Sequence, residues 1–191
     1  LFHSLKPFLD SSSIQEVIVV VPEYQIKTVH SDLLSMSAGK PIKVIAGGAR
    51  RQDSVKNGVT AAVSSANLVC IHDAARPFVS ETLINNSIAA CKTADGAVVA
   101  LRSIDTVKLS ESGKVKETLN REKIWLAQTP QTFWKDKLIQ ALDHADAKSF
   151  TATDESYLME AMGFSVALVQ GDINNFKITT MDDWKRAEYL I

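Results

Sequence analysis

The chain has 191 residues, of which 46% are hydrophobic and 23% charged, and this balance excludes a disordered or fibrous protein and is typical of a globular domain. Its 21 basic and 22 acidic residues leave a formal net charge of -1, so there is no overall positive field to attract duplex nucleic acid or an anionic membrane. No apolar run approaches the roughly 18 residues that span a bilayer. The two cysteines, Cys70 and Cys91, have no metal-binding spacing and are predicted to be reduced core thiols.

Stretches of helical period alternate along the chain with apolar, β-branched runs. Helical spacing opens the chain at residues 1–9, and the run Val17–Val21 has the composition of a strand that is buried on both faces. Strands alternating with helices predict an α/β fold with a mostly parallel sheet covered by helices on both faces. In chain order, the remaining predictions are helix 24–36, strand 40–48, helix 53–65, strand 67–73, helix 80–91, strand 95–103, helix 134–144, helix 154–162 and strand 163–171.

The segment 105–126 interrupts this alternation. Its charged residues alternate with apolar ones around the turn SESGK, which predicts an exposed antiparallel hairpin. Such a hairpin has few residues to bury against its own domain, so we predict that it mediates dimerisation, with a mobile surface arm as the alternative. The economical interpretation is one domain over residues 1–191 with one protruding β-arm.

Ligands of an open parallel sheet bind outside the carboxyl ends of its strands. After the second predicted strand, the sequence AGGARRQDS carries Gly47 and Gly48, whose lack of a side chain lets backbone approach a planar ligand closely. Asp53 or Ser54 can cap the helix that follows. An ordinary strand-to-helix turn with solvated arginines explains this stretch equally well.

The third predicted strand ends in HDAARP. Asp73 is placed to bind a cation or a sugar hydroxyl, and Arg76 offers a rigid fork for phosphate or carboxylate. Two structural alternatives are that Asp73 pairs with Arg76, or that Asp73 caps the helix beginning near Ser80.

Further candidates lie at other predicted strand and helix ends. Asp105 and Thr106 follow the fourth strand, Lys177 follows the turn GDINN, and Thr153 or Asp154 caps a helix whose N-terminus favours anions. Each is individually more often structural than functional. The rim they form together suits a phosphorylated substrate plus a nucleotide, and it comprises Asp73, Arg76, Thr106, Thr153 and Lys177.

The chain resembles the family of 2-C-methyl-D-erythritol 4-phosphate cytidylyltransferases in six motifs, which occur in the order GGARRQDSV, IHDAARPF, LRSIDTVK, NREKIWLAQTPQTF, TDES and NNFKIT. The resemblance runs from Leu1 to the C-terminus. It implies a Rossmann-like nucleotidyltransferase fold, a homodimer with an interlocking β-arm, Mg²⁺ as cofactor and a location in the bacterial cytosol or plastid stroma. The implied reaction joins CTP to methylerythritol phosphate in isoprenoid precursor synthesis and releases pyrophosphate.

The resemblance also implies roles for individual residues. Cytosine recognition falls on the backbone of Gly48 and Ala49 and on Ser54, and Ala49 stands where the family has an acidic residue. Asp73 and Arg76 fall on the nucleotide side, with Asp73 toward the metal. The residues expected to hold methylerythritol phosphate are Asp105, Thr106, Arg121, Thr153 and Lys177.

Arg121 and Lys177 are the implied catalytic pair, which positions the attacking phosphate. Because Arg121 lies on the far limb of the arm, it is expected to reach the site of the other subunit. The family begins with a strand and a Gly-rich loop carrying an Arg and a Lys, and no counterpart stands before Leu1. We therefore expect the sequence to be N-terminally incomplete and, on its own, nearly inactive.

Two alternatives remain open. A ribitol-5-phosphate cytidylyltransferase shares the fold and much of the rim, and differs in the polyol pocket. A non-catalytic dimeric nucleotide-binding module would have lost the Gly-rich loop by evolution, which the gene sequence upstream of Leu1 would reveal.

Overall fold

The computed structural model describes residues 1–34 and 39–190. Each helix and strand predicted above is present, the strand Val17–Val21 with its predicted bounds and the others with shifted ends, whereas the strand Trp125–Trp134 and the helix Met181–Glu188 were not predicted. Predicted helix positions 35 and 36 lie outside the described residues. In chain order the elements are α1 (Phe2–Asp10), β1 (Val17–Val21), α2 (Ile26–Leu33), β2 (Ile42–Ala46), α3 (Arg51–Ala61), β3 (Leu68–Ile71), α4 (Glu81–Ala90), β4 (Gly96–Arg102), β5 (Lys108–Glu111), β6 (Lys114–Thr118), β7 (Trp125–Trp134), α5 (Lys135–Ala147), α6 (Glu155–Ala161), β8 (Val166–Gln170) and α7 (Met181–Glu188).

The strands form two sheets in the body of the protein. β1 pairs with β2 in parallel, and a four-stranded sheet has the order β3-β7-β4-β8. β4 and β8 are parallel, whereas β7 runs antiparallel to both β3 and β4. The α/β class is confirmed, and the sheet around β7 is mixed.

Strand β7 is polar in sequence, which is why it was not predicted. Gln128, Thr129, Gln131 and Thr132 are all buried, and each finds a hydrogen-bonding partner elsewhere in the chain. Pro130 stands where the register with β4 shifts between Val98 and Ala100, a bulge that tolerates a residue without an N–H. A polar central strand is stable here because its buried groups are satisfied.

Helices cover both faces of the four-stranded sheet. Along β3, Leu68 and Cys70 pack into one hydrophobic core, and Val69 and Ile71 pack into another, as the two-residue period of a strand requires. α1 and α4 contribute to the first core, and α3, α5 and α6 to the second. None of the described helices is long and apolar enough to cross a membrane.

β1 and β3 border a common apolar cleft of about 740 Å³. Val55 and Val59 of α3 and Leu5 and Phe8 of α1 also line it. Among the described residues, β1 pairs only with β2, and β3 only with β7. Each strand therefore presents one edge of unpaired backbone groups to the cleft.

The hairpin β5-β6 lies within the predicted arm. Every residue of both strands is exposed, and Ser112 and Gly113 form its turn with positive φ angles of 50° and 76°. Glycine adopts this left-handed region without the steric cost that a side chain imposes. Two apolar side chains of the arm, Leu109 and Val115, are exposed to solvent.

The beginning of β4 is tied to β8 and α5 by the side chain of Asp95. Its carboxylate accepts hydrogen bonds from the backbone N–H of Ser165 at 2.7 Å and the Ser165 hydroxyl at 2.9 Å, and it pairs with Lys137. The hydrogen bond from Lys137, followed by those from Ser165, lowers the pKa of Asp95 to about 2.

We expect Asp95→Asn to lower the free energy of unfolding by about 1 kcal/mol at pH 7, because the amide is a weaker acceptor than the carboxylate. A carboxyl group with a lowered pKa contributes this stability above its unfolded-state value of 3.8 and loses it as the pH falls toward 2. Urea titrations of both proteins at pH 7 and pH 3 should show the difference shrinking. Glu117→Gln on the exposed arm is the control, and an equal difference at both pH values would contradict the assignment.

Candidate functional site

The side chain of Asp73 is the point where the loops after β2, β3 and β8 meet. Lys177 Nζ lies 3.1 Å from Asp73 Oδ2, Arg51 lies 3.4 Å from Oδ1 through a terminal nitrogen, and Arg76 Nε lies 3.6 Å from Oδ2. Burial raises the pKa of Asp73, but the hydrogen bond from Lys177 and the charges of Arg51 and Arg76 outweigh it and hold the pKa below its ordinary value. Asp73 is therefore an ionised carboxylate surrounded by three cations.

The turn that carries Asp73 is fixed by a network around His72. The Asp73 N–H donates to Thr129 Oγ1 at 3.0 Å, and His72 Nε2 lies 3.0 Å from the carbonyl oxygen of Arg76. That oxygen can only accept, so Nε2 carries the proton, and the Thr129 hydroxyl donates to His72 Nδ1 at 2.9 Å. Burial lowers the pKa of His72 to about 4, which keeps the ring neutral near pH 7.

The loop that carries Lys177 is held by Asn175, which is fully buried. The Asn175 side-chain amide donates to the carbonyl of Thr129 at 2.8 Å, and the Asn175 carbonyl accepts from Arg76 at 2.9 Å. The loop after β8 is thus attached both to β7 and to the turn after β3. This attachment brings Lys177 and Arg76 to the same carboxylate.

The glycine loop after β2 folds back on the first turn of α3. Gly48 donates its N–H to Ser54 Oγ at 3.0 Å, and a Cβ at Gly48 would lie 2.3 Å from the Cβ of Asp53. The absence of a side chain at Gly48 therefore lets the loop approach α3 closely. The prediction that Asp53 or Ser54 caps this helix is confirmed for Asp53, which acts from the third position of α3. The helix begins at Arg51, and the Asp53 side chain accepts from the N–H of the N-cap residue Arg50 at 3.0 Å in a capping box.

At the start of α6, Asp154 is the N-cap, and its side chain accepts from the N–H of Tyr157 at 3.0 Å. Thr153 stands exposed immediately before it. The next residue, Glu155, is buried, and Arg51 donates to its two carboxylate oxygens at 2.7 and 2.9 Å. Burial raises the pKa of Glu155, against the opposing effect of Arg51.

The structural alternatives for Asp73 are also decided by the geometry. Asp73 does not cap α4, because Ser80 does so with its own hydroxyl, which accepts from the N–H of Leu83 at 3.3 Å. Asp73 does pair with Arg76, at the longest of its three cation distances. The pair is thus one part of a larger charge cluster.

Three predicted site residues lie outside the charge cluster around Asp73. Asp105 and Thr106 are exposed after β4, where the Ser103 hydroxyl donates to the Asp105 carbonyl at 3.1 Å. Arg121 is exposed on the arm, where it donates to the Ile104 carbonyl at 2.9 Å and lies 3.8 Å from Glu122. The contacts of Arg121 are therefore local to the arm, and the single chain does not bring it to Asp73.

Sequence reasoning missed four residues of this site: Arg51, Thr129, Glu155 and Asn175. Each stands inside a motif quoted above, but nothing in the motif says which of its polar residues are buried or which face Asp73. Arg50 and Arg51 are indistinguishable by type. Only their partners separate them, because Arg50 pairs with Asp53 and Arg51 with Glu155 and Asp73.

A protein-only metal centre is absent from the part of the chain that the structure describes. No group of three or more His, Cys, Asp or Glu side chains there is arranged to hold a metal ion. Asp73 offers one carboxylate, already paired with cations. Mg²⁺ is often held by one or two carboxylates together with substrate phosphates, so Asp73 fits a metal that a bound phosphate ligand would share.

Comparison with known proteins identifies the family and the fold of this chain. The family model that matches residues 1–191 is described as 2-C-methyl-D-erythritol 4-phosphate cytidylyltransferase. The protein of that name from Clostridioides difficile is 36% identical over 189 residues, covering 99% of this chain and 80% of the relative.

Solved structures agree. The crystal structure of 4-diphosphocytidyl-2C-methyl-D-erythritol synthase from Anaerococcus prevotii matches with a TM-score of 0.91 and 31% identity, over 98% of this chain and 84% of that one. The crystal structure of 2-C-methyl-D-erythritol 4-phosphate cytidylyltransferase from Thermus thermophilus matches with a TM-score of 0.82 and 34% identity, over 100% and 87%. The fold is accordingly the Rossmann-like nucleotidyltransferase fold. The chain belongs to the 2-C-methyl-D-erythritol 4-phosphate cytidylyltransferase family.

Proposed function

We propose that the protein transfers CMP from CTP to 2-C-methyl-D-erythritol 4-phosphate and releases pyrophosphate, in isoprenoid precursor synthesis. The observation that carries the proposal is the charge cluster around Asp73, at the strand ends where ligands of this fold class bind. With Glu155 included, three cations face two carboxylates, so the cluster retains one positive charge for a phosphate ligand.

The reaction requires positioning and charge stabilisation and no protein nucleophile. An oxygen of the methylerythritol phosphate forms a bond to the α-phosphorus of CTP, and the bond from that phosphorus to the bridging oxygen of pyrophosphate breaks. Lys177 is exposed at the rim and fixed by the Asn175 loop, so its ammonium can hold the attacking phosphate. Arg76 is pinned by its hydrogen bond to Asn175 and contributes a second fixed positive charge.

We propose Mg²⁺ as the cofactor, with Asp73 as its protein ligand. A bound Mg²⁺ would neutralise charge that develops on the phosphates during transfer. Asp73 suits this role because its lowered pKa keeps the carboxylate ionised at neutral pH.

We also propose a homodimer in which the arm delivers Arg121 to the partner's rim. One observation and one general property of hairpins support it. The hairpin is exposed along its whole length, and an isolated two-stranded hairpin is at best marginally stable in water. The cytosol of a bacterium is the proposed location, since the relatives above are bacterial proteins and both cysteines are free thiols.

The acceptor is tested by incubating the complete gene product with CTP, Mg²⁺ and either methylerythritol phosphate or ribitol 5-phosphate, and by measuring pyrophosphate. We expect turnover with methylerythritol phosphate and a kcat/KM at least about 10²-fold lower with ribitol 5-phosphate, because a site that hydrogen-bonds the hydroxyls of one polyol discriminates against an acceptor that leaves those bonds unmade. If only ribitol 5-phosphate reacts, the proposed acceptor is wrong and the protein is a ribitol-5-phosphate cytidylyltransferase. Binding of CTP without turnover of either acceptor would favour a non-catalytic module.

The glycine loop is tested by Gly48→Ala. The added Cβ would collide with Asp53, so the loop must move away from α3, and the backbone proposed to recognise cytosine moves with it. We expect CTP affinity, measured by calorimetry, to fall by about tenfold or more. Thr60→Ala on the exposed side of α3 is the control, and an unchanged affinity in Gly48→Ala would exclude this loop from CTP binding.

The arm is tested by mixing two inactive variants, Arg121→Ala and Lys177→Ala, under conditions in which subunits exchange. If the two residues act across subunits, each mixed dimer regains one intact site. With random pairing, activity should then recover to about a quarter of the parent value. No recovery would show that both residues act within one chain.

A further inference from the structure

We propose that Arg51 is a positioning residue for cytidylyl transfer: the buried carboxylate of Glu155 holds its guanidinium, which in turn fixes the orientation of Asp73. This inference rests on the proposed function and adds two residues to its machinery.

Glu155 anchors the side chain of Arg51. Glu155 is only 1% exposed, and one terminal nitrogen of Arg51 donates to both of its carboxylate oxygens, at 2.7 and 2.9 Å. A buried carboxylate needs its counter-ion to remain where it is, because an unpaired buried charge is strongly unfavourable. Glu155 therefore restricts the guanidinium to one orientation.

The anchored guanidinium of Arg51 reaches Asp73. With one nitrogen engaged by Glu155, the other terminal nitrogen points at Asp73 Oδ1, 3.4 Å away. Lys177 and Arg76 both approach the other oxygen, Oδ2. The carboxylate is thus held from both sides, and Arg51 is the cation on the Oδ1 side.

The position of Arg51 in the chain places it between three parts of the site. It is the first residue of α3, directly after the glycine loop that carries Gly48, whereas Glu155 is the first residue of α6, two residues after Thr153. Asp73 follows β3. A single guanidinium therefore connects the loop proposed for cytosine, the carboxylate proposed for the metal and the helix end proposed for the acceptor.

Arg50 provides a matched control within the same loop. It is the adjacent residue of the same type, and its side chain pairs with Asp53 and donates to the Thr151 hydroxyl at 3.1 Å. None of the contacts of Arg50 involves Asp73 or Glu155. Replacing the Arg50 guanidinium therefore changes its surface contacts with Asp53 and Thr151 and leaves the charge cluster around Asp73 unchanged.

The first test compares Arg51→Lys with Arg50→Lys in the complete gene product. Lysine keeps the charge but lacks the planar fork through which Arg51 donates to Glu155 with one terminal nitrogen and to Asp73 with the other. For Arg51→Lys we expect CTP affinity to fall about tenfold, measured by calorimetry with Mg²⁺, and for Arg50→Lys less than about twofold. Equal, small effects in both variants would overturn the proposal.

The second test separates positioning from a purely structural role. Glu155 is buried and the Arg51 side chain is 40% exposed. Replacing both members of such a pair by apolar residues of similar size leaves no unpaired buried charge, so Arg51→Met combined with Glu155→Met should leave the melting temperature near the parent value. The double variant nevertheless loses the contact to Asp73. We expect a fall in kcat/KM of at least about tenfold with the fold intact, and parental kcat/KM in a stable double variant would show that the pair is only structural.

The third test is a double-mutant cycle on CTP affinity. If Arg51 acts through Asp73, Arg51→Lys should change the affinity less than about twofold once Asp73→Asn is present. A full tenfold loss in that background would mean that Arg51 contacts the ligand directly, and would overturn the positioning role. The cycle needs no turnover, so its result stays separate from the acceptor assay: a failed acceptor assay rejects the proposed function, whereas additivity in the cycle rejects only the role of Arg51.

Discussion

The partly buried carboxylate of Asp73 is the charge on which the arrangement of the site depends. A carboxylate taken out of water is stable only with compensating partners, and here Arg51, Arg76 and Lys177 supply them from three separate segments. The same electrostatics that stabilise the anion bring three loops together. The cations gathered by one acidic side chain then form a surface suited to phosphates, so folding and ligand recognition share one interaction.

The polar interior of β7 extends this dependence into the sheet. Thr129 supports the turn of Asp73 through His72, and its carbonyl accepts from Asn175, which secures the loop of Lys177. Apolar residues at 128 and 129 would keep the backbone carbonyl that accepts from Asn175 but would lose the Thr129 hydroxyl bonds to the turn of Asp73 and the Gln128 bonds to the loop after β8. The buried hydrogen bonds of a central strand thus transmit the rigidity of the sheet to the rim, where precise placement of charge controls the rate.

The sequence predicted features whose cause is local. The bounds of β1 agree with prediction because a run of β-branched residues strongly favours a strand. The hairpin turn agrees with prediction because its glycine favours the left-handed backbone of that turn. β7 was missed because the burial of Gln131 depends on Asp154, which is distant in sequence. Arg51 was missed for the same reason, since its partner Glu155 lies 104 residues away. The resemblance identified the family correctly, whereas these pairings required three-dimensional structure.

The cleft between β1 and β3 affects how the 191 residues behave as a polypeptide. β1 consists wholly of valine and isoleucine, and its free edge carries none of the charges or prolines with which edge strands commonly discourage pairing with other chains. β3 presents a second free edge across the same apolar space. Arg51, Asp73 and Lys177 line this cleft as well, so a chain that paired with either free edge would lie against the charge cluster.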